Sequence, residues 1–361
     1  MILFYVSGHG LGHMSREAEV MKAVKEIRPD IPLGLKTPTA EWFVWENMPG
    51  GTIYEQSSID VGVVQRDSLR LDEEATLEEY NKIISRKEDI ISEEVQWAET
   101  QGVKLIVSDI PPLAFDIAEA LGIPSICIAN FSWDWIYQPY VQQYPQFEHI
   151  LEDIRKSQSK CTLLLEVPFE GDLSSFPNKQ RIPLIGRKSS LSKHDARKIL
   201  GIPPDKKVLL LTFGGFGVEK NDGWETDFDD DTIVITTRAD MMCQGWRYLP
   251  VEEMRKLDLK YPDLVRACDA VLTKPGYGIV VECIANGTPI IHVERGVFPE
   301  YEILVGRMGG YIPEIFMETN DFLAGRWKKY LDEILSDDTQ REKISVEGAS
   351  AAAEIILDYY R

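Results

Sequence analysis

Two histidines lie in a glycine-rich stretch, residues 7–16, close to the start of the chain. The stretch follows the apolar run 2–6, which predicts a buried strand, and it precedes a predicted helix. His13 stands where a dinucleotide fingerprint would have its third glycine, so the loop is not predicted to bind a dinucleotide. Because imidazole can act as a general base near neutral pH, His13 and, after it, His9 are candidate bases. The alternative is a tight turn in which both histidines bind backbone carbonyls.

A carboxylate ends the second predicted strand. Asp109 follows the apolar run 105–108, and ligands in open α/β sheets bind at the carboxyl ends of strands. The carboxylate could orient a histidine of the first loop and stabilise its protonated form. It could equally cap the helix predicted from Leu113 onward, and the sequence leaves both roles open.

Aromatic side chains follow the third predicted strand, residues 125–129. Trp133, Trp135 and Tyr137 are close together in the sequence, and such rings can stack on a sugar. The alternative is that they pack in the core or between domains.

The most specific pattern is a strand, loop, helix and second strand over residues 268–291. Its loop contains Gly276 and Gly278, and a phosphate could lie there at the helix N-terminus. Glu282, about one turn into the helix, could accept hydrogen bonds from both hydroxyls of a ribose. A second glycine-rich loop, 214–217, follows another buried strand and could present backbone amides to a phosphate. The alternative is an ordinary strand–helix–strand unit with a surface glutamate.

Short apolar runs that alternate with longer helical ones position all of these loops. This alternation predicts an α/β fold with parallel sheets. Residues 166–187 are rich in Pro, Gly and Ser, as is typical of a linker. The expected organisation is an N-terminal domain, a linker, a C-terminal domain and a final helix, over residues 1–165, 166–187, 188–336 and 337–361.

Composition excludes several classes of protein. The chain has 361 residues, 44% of them hydrophobic, and a net charge of −20. This acidic balance argues against nucleic-acid binding and against docking on an anionic membrane. No apolar run approaches the roughly 20 residues of a membrane-spanning helix, and the start of the chain is predicted to be a strand and not a signal peptide. The five cysteines are scattered, which predicts reduced thiols and a cytoplasmic protein.

Three of the stretches, in this order and at this spacing, resemble nucleotide-sugar glycosyltransferases of the GT-B fold: residues 10–13, 214–217 and 268–291. The nearest analogues are MurG-type N-acetylglucosaminyltransferases and UDP-glycosyltransferases. Residues 130–137 and 274–285 also resemble the glycosyltransferase-like N-terminal half of plant arabinokinases. The resemblance implies two Rossmann-like domains with parallel sheets that face each other across a cleft. It places the donor in the C-terminal domain and the acceptor in the N-terminal domain, and the final helix would cross back to the first domain.

The resemblance also implies roles for individual residues. His13 would be the catalytic base and Asp109 the carboxylate that orients it. The positions that would bind the nucleotide sugar are Arg187, Gly215, Phe216, Gly217, Leu257, Leu259, Lys274, Gly276, Tyr277, Gly278, Glu282, Glu300 and Tyr301. Those that would bind the acceptor are His9, Gly10, Gly12, Trp133, Trp135 and Tyr137. Residues 294–301 depart from the family, which usually has an acidic or glutamine pair after the last donor strand.

The implied reaction is the inverting transfer of a sugar from a nucleotide sugar, expected to be UDP-linked, to the hydroxyl of a small molecule or a glycan. A base is needed because a hydroxyl is a poor nucleophile until it is deprotonated. Amides and cations would stabilise the leaving diphosphate, so no metal or other cofactor is expected. Because the acidity is concentrated in the first half of the chain, a neutral or cationic acceptor is favoured. Two alternatives stay open: a non-catalytic nucleotide- or sugar-binding module, and an enzyme like the UDP-sugar 2-epimerases.

Overall fold

The computed structural model of the chain describes residues 1–65, 70–214 and 225–360. Within them, a first sheet has seven parallel strands in the order β3-β2-β1-β4-β5-β6-β7. The strands are β1 (Ile2–Val6), β2 (Leu33–Lys36), β3 (Ile53–Glu55), β4 (Leu105–Asp109), β5 (Ser125–Ala129), β6 (Leu163–Glu166) and β7 (Lys179–Arg181). The helices between them are α1 (Gly12–Ile27), α2 (Glu41–Asn47), α3 (Glu73–Ser85), α4 (Lys87–Gln101), α5 (Leu113–Leu121), α6 (Trp133–Gln143) and α7 (Glu148–Gln158).

The second sheet has six parallel strands among the described residues, in the order β10-β9-β8-β11-β12-β13. They are β8 (Lys207–Thr212), β9 (Thr232–Thr236), β10 (Arg247–Tyr248), β11 (Ala270–Thr273), β12 (Ile290–His292) and β13 (Glu314–Phe316). The remaining helices are α8 (Lys193–Ile199), α9 (Val251–Lys256), α10 (Tyr261–Ala267), α11 (Tyr277–Asn286), α12 (Glu300–Met308), α13 (Thr319–Leu323), α14 (Lys328–Leu335) and α15 (Gly348–Tyr359).

Strand register brings the functional loops together. Every residue of β1 and β4 is buried, as expected for central strands that are covered by helices on both faces. Val6 pairs with Asp109, so the loop after β1 begins beside that carboxylate. In the second sheet Thr273 pairs with Thr212 on one side and His292 on the other. The loops after β8, β11 and β12 therefore leave the same edge of the sheet.

The apolar core is continuous between the two sheets. One cluster of buried side chains includes Val6 of β1, Leu184 of the predicted linker, Val281 of α11 and Ile356 of α15. Its members come from both halves of the chain, so each half buries part of its apolar surface against the other. The predicted α/β class with parallel sheets is confirmed.

Two segments differ from their expected secondary structure. Residues 179–181, inside the segment expected to be a linker, form β7 at the edge of the first sheet. The final helix begins at Gly348 and not near residue 337, and it packs against α1. The segment before this helix lies alongside the end of the predicted linker. The N–H of Leu184 donates to the carbonyl of Ser345, and the N–H of Gly348 donates to the carbonyl of Leu184.

No helix in the described part of the chain combines the length and the apolar character that crossing a membrane requires.

Candidate active site

His13 lies in the first turn of α1, directly after the loop that follows β1. The loop turns at Gly10, whose φ of +74° lies in the region that glycine adopts without strain. The His13 side chain is buried, with 8% of it exposed, and its ring meets the edge of the Phe131 ring. The glycine loop thus delivers a histidine to the carboxyl end of the first sheet.

Asp109 holds one nitrogen of the His13 ring. His13 Nδ1 and Asp109 Oδ1 are 2.8 Å apart, and the carboxylate is fully buried. When Nδ1 donates to the carboxylate, the lone pair of the ring is at Nε2, which is the form that can take a proton from a substrate. Of the two roles left open for Asp109, the geometry shows the contact to histidine.

A buried arginine shares the same carboxylate. Arg16, one turn after His13 on α1, donates from Nε to Asp109 Oδ2 at 2.9 Å and from Nη2 to Oδ1 at 2.5 Å. Its Nη1 donates to Asn130 Oδ1 at 3.0 Å. Burial acts to raise the pKa of the Asp109 carboxyl, but attraction to Arg16 and His13 outweighs it and leaves that pKa below its usual value. Asp109 therefore stays ionised.

Sequence reasoning did not single out Arg16. A signal was present, because residues three apart lie on the same face of a helix, and Arg16 is three residues after His13. What the spacing does not show is that both side chains reach one carboxylate.

Glu17 is a second buried acid near the pair. It is fully buried, and neither carboxyl oxygen has a hydrogen-bond partner among the described residues. Burial, followed by repulsion from Asp109, raises the pKa of Glu17 well above its usual value. The residue is thus held in its neutral form more readily than an exposed glutamate.

The N-termini of α1 and α11 meet across the cleft. A β-carbon on Gly278 would lie 3.0 Å from Cα of Gly12, so the two backbones touch. The Tyr277 ring lies 5.0 Å from the Arg16 guanidinium, and Gly276 is the N-cap of α11. Two helix N-termini, each a positive dipole end, therefore face one small region beside His13.

Arg187 and Glu282 bind each other. Arg187 Nε lies 2.8 Å from Glu282 Oε1, and Nη2 donates to Oε2 at 3.0 Å. A third nitrogen, Nη1, donates to Asn47 of α2 at 3.1 Å. Burial raises the pKa of Glu282, and Arg187 offsets this only in part. The two residues expected to contact diphosphate and ribose thus form one largely buried ion pair.

Glu300 joins the two halves of the chain. It is buried at 3% exposure, and Asn130 Nδ2 donates to its Oε1 at 2.7 Å. Arg295 Nη1 donates to its Oε2 at 3.1 Å. Because Asn130 also binds Arg16, a continuous chain of hydrogen bonds runs from Asp109 to the donor side of the cleft. Tyr301, its neighbour, lies half-buried, with its ring 6.4 Å from that of His292.

His9 lies between the two halves as well. Its Nδ1 accepts from Val63 N at 3.2 Å, and its ring stacks on Phe298. Burial lowers the pKa of His9 well below its usual value, and electrostatic interaction with Arg295, His13 and Lys274 adds to this. His9 is therefore neutral at physiological pH. Lys274 donates across the cleft to Gln65 at 3.5 Å.

Two of the aromatic residues expected to bind an acceptor are in the core instead. Trp133 and Tyr137 are fully buried, stack on each other at 5.5 Å, and donate to Asp60 and to the carbonyl of Gly62. Packing is the physical reason, since both faces of these rings are covered. Trp135 is half-buried, and its ring lies against Gly171.

The remaining expected donor positions have mixed outcomes. The N–H groups of Leu257 and Leu259 already donate to carbonyls at the end of α9, so neither amide can donate to a base. Gly215, Phe216 and Gly217 lie outside the described residues. Within residues 1–65, 70–214 and 225–360, no three His, Cys, Asp or Glu side chains come together as metal ligands.

Two parallel sheets whose carboxyl ends face each other, with a site between them, define the class of fold. Solved glycosyltransferases share it over the full length of the chain. The glycotransferase of kitacinnamycin is 17% identical with a TM-score of 0.67, and the match covers 100% of this chain and 99% of that one. A UDP-glucosyltransferase from Polygonum tinctorium is 13% identical with a TM-score of 0.56, covering 99% and 98%. The predicted GT-B glycosyltransferase fold is confirmed.

A sequence relative gives a second similarity, at higher sequence identity. The chain is 31% identical over 362 residues to L-arabinokinase of Arabidopsis thaliana, and the match covers 98% of this chain. It covers 34% of the relative, so the chain spans about a third of the length of that protein. No protein-family model matches the chain.

Proposed function

We propose that the chain transfers a sugar from a UDP-linked nucleotide sugar to a hydroxyl acceptor, with inversion at the anomeric carbon. The observation that carries the proposal is the position of the His13–Asp109 pair. It lies directly across the cleft from the N-terminus of α11, where Gly12 and Gly278 touch. In this proposal, the base and the binding place for the leaving phosphate are next to each other.

His13 acts as the base in this proposal. Asp109 fixes Nδ1, so Nε2 takes the proton of the acceptor hydroxyl as that oxygen attacks the anomeric carbon. The bond from the anomeric carbon to the diphosphate oxygen breaks, and the leaving diphosphate keeps the electron pair. One displacement from the opposite side inverts the configuration. Ionised Asp109 then stabilises the positive charge that His13 gains.

The donor side of the cleft supplies positive charge for the negatively charged diphosphate. The N-termini of α1 and α11 both present free N–H groups and positive dipole ends to a diphosphate. Arg187 and Lys274 add positive charge, so the proposed reaction uses amides and cations rather than a metal. Glu282 supports the ribose assignment, because its buried Oε1, although 2.8 Å from Arg187 Nε in the ion pair, accepts no well-aligned hydrogen bond from any described residue. UDP is the nucleotide named for the Polygonum tinctorium neighbour.

One observation favours a second candidate, a nucleotide- or sugar-binding module without catalysis. Glu300 and Glu282, both expected to hold the donor, are engaged by Asn130, Arg295 and Arg187 of the chain itself. A ligand must replace or share these contacts in order to bind. A domain that only senses a nucleotide sugar would bind its ligand in the same way, without catalysis.

The experiment that separates the two candidates is His13→Ala, assayed for UDP release with a panel of hydroxyl acceptors and for UDP binding by calorimetry. Transfer should fall by roughly 10³-fold or more, while UDP affinity stays the same. His149→Ala is the matched control, because that exposed histidine lies on α7, and it should change neither. Turnover that survives in His13→Ala removes His13 as the base. Binding without turnover in the unaltered protein supports the module.

A further inference from the structure

Arg16 and Arg187 use the same edge of their guanidinium group to hold a carboxylate. In Arg16 that edge, Nε with Nη2, binds both oxygens of Asp109. In Arg187 the corresponding edge faces both oxygens of Glu282. This side-on pairing matches the planar, two-donor fork of arginine to the planar carboxylate.

Arg295 is the exception among these cleft arginines. Its side chain is 6% exposed, yet its Nε has no hydrogen-bond partner in the described part of the chain. Its Nη2 makes one long contact, 3.4 Å, to His9 Nε2. The contacts to Glu300 and to the carbonyl of Pro275 both use Nη1. The edge that binds a carboxylate in the other two arginines therefore faces no carboxylate of the described residues here.

Packing fixes this edge in place. The guanidinium lies 3.7 Å from the centre of the Phe298 ring, and Nη1 is held by Glu300 and by the carbonyl of Pro275. An unpaired donor on a buried cation is costly, so the arrangement is not explained by stability alone.

The position of Arg295 defines which part of a substrate would meet it. Pro275, which it touches, directly precedes the N-terminus of α11. Glu300, its ion-pair partner, connects through Asn130 and Arg16 to Asp109. Arg295 thus lies between the proposed diphosphate position and the proposed base. If the proposed function holds, the sugar ring of the donor occupies this space.

We propose that Arg295 receives a carboxylate of the donor sugar, so that the sugar is a uronic acid and the donor a UDP-hexuronate. Nε and Nη2 would each donate to one carboxylate oxygen, as they do within the protein in Arg16. Lys274, which follows the neighbouring strand β11, adds a second positive charge, because its Nζ contacts Gln65, and Gln65 lies 3.5 Å from the His9 nitrogen that Arg295 Nη2 also meets. A neutral sugar offers only single hydroxyl acceptors, which match the two parallel donors less well than a planar carboxylate does. The inference rests on the proposed function, because it names the substrate class of that same site.

The test is calorimetric titration of the unaltered protein with UDP, UDP-glucose and UDP-glucuronate, repeated with Arg295→Gln and Arg295→Lys. We expect UDP-glucuronate to bind about 10- to 100-fold more tightly than UDP-glucose, as expected for a charge-assisted pair. Both variants should lose that preference and keep their affinity for UDP. Arg295→Lys retains the positive charge beside Glu300, so it serves as the second variant where Arg295→Gln folds poorly. Arg326→Gln is the matched control, because Arg326 is exposed and pairs with Asp321 away from the cleft.

Three outcomes would overturn the inference and leave the proposed function in place. The unaltered protein could bind both sugars equally, or its preference could survive in both Arg295 variants. Equal weakening of UDP and of both nucleotide sugars in the variants would mean that Arg295 binds the diphosphate. Failure of the proposed function looks different: the unaltered protein would then bind no UDP at all, which overturns both proposals. UDP binding without a uronate preference leaves the proposed function standing and removes only the inference.

Discussion

Gly12 and Gly278 approach so closely that a β-carbon on Gly278 would lie 3.0 Å from Cα of Gly12. One belongs to the helix that carries His13, and the other to the helix that would hold the donor phosphates. This contact sets the distance between the proposed base and the proposed leaving group. A change of one methyl group at this point should therefore act on transfer more than on folding.

The two glycines are not equivalent, which gives a matched pair of variants. Gly278→Ala presses its methyl group against backbone, whereas a β-carbon on Gly12 would lie 3.5 Å from Gly278 N, an ordinary contact. We expect Gly278→Ala to lower kcat/KM about 10- to 100-fold, because small displacements of reacting groups have large effects on rate. Gly12→Ala should stay within about three-fold by the same reasoning. Steady-state kinetics and thermal melting check this, and equal activities in the two variants would contradict it.

Asp109→Asn tests whether the carboxylate orients His13. The variant removes the charge that fixes Nδ1 and stabilises protonated His13, so kcat should fall by roughly 10³-fold. UDP affinity should not change. Asp116→Asn is a stringent control, because Asp116 is also a buried carboxylate, paired with Lys160 and Lys87 outside the cleft. Both variants should lose stability, but only Asp109→Asn should lose turnover; similar turnover in the two would remove the orienting role.

Glu282→Ala tests the ribose assignment. The substitution removes a carboxylate that is proposed to accept ribose hydroxyls, so UDP affinity should fall more than about ten-fold. It also leaves Arg187 without its ion-pair partner, and the free energy of unfolding should drop by about 3–5 kcal/mol. Calorimetry with UDP and denaturant unfolding measure the two effects separately. Glu302→Ala, an exposed glutamate of α12, should change neither. UDP affinity that does not fall would move the donor site elsewhere.

Glu17 gives a prediction about pH. Its pKa is higher in the folded protein than in the unfolded chain, so its contribution to stability is complete below the unfolded value and is lost as the pH rises through the folded value. Glu17→Met has no carboxyl group at this position, so it does not lose stability as the pH rises, and it also removes the two unpaired oxygens. The variant should be more stable than the unaltered protein by about 1–3 kcal/mol at pH 8, and by less near pH 4.5.

Denaturant unfolding at several pH values checks the Glu17 prediction. Glu26→Met, at an exposed position of the same helix, should show no such pH dependence. A gain for Glu17→Met that is the same at pH 4.5 and at pH 8 would contradict a raised pKa.

The sequence by itself determined the parallel α/β architecture and the places of His13, Asp109 and Glu282. Each of these residues belongs to a local pattern in which a short apolar strand is followed by a turn and a helix. Such patterns depend on neighbours in the chain, so they can be identified without the fold. Local patterns also have limits. The strand at 179–181 is polar, so no apolar run marks it in the sequence. Aromatic residues such as Trp133 and Tyr137 are typical both of a sugar-binding surface and of a packed core, so the sequence does not distinguish the two.

Only the tertiary structure decided how the charged side chains pair. Asp109 meets Arg16 because α1 and the end of β4 lie side by side, and Asn130 meets Glu300 because the two halves of the chain dock. These contacts join residues far apart in sequence, and no spacing rule connects them. The unused edge of Arg295 is of the same kind. Whether a buried donor has an acceptor depends on the side chains packed around it. It is therefore decided by the assembled site and not by the order of residues.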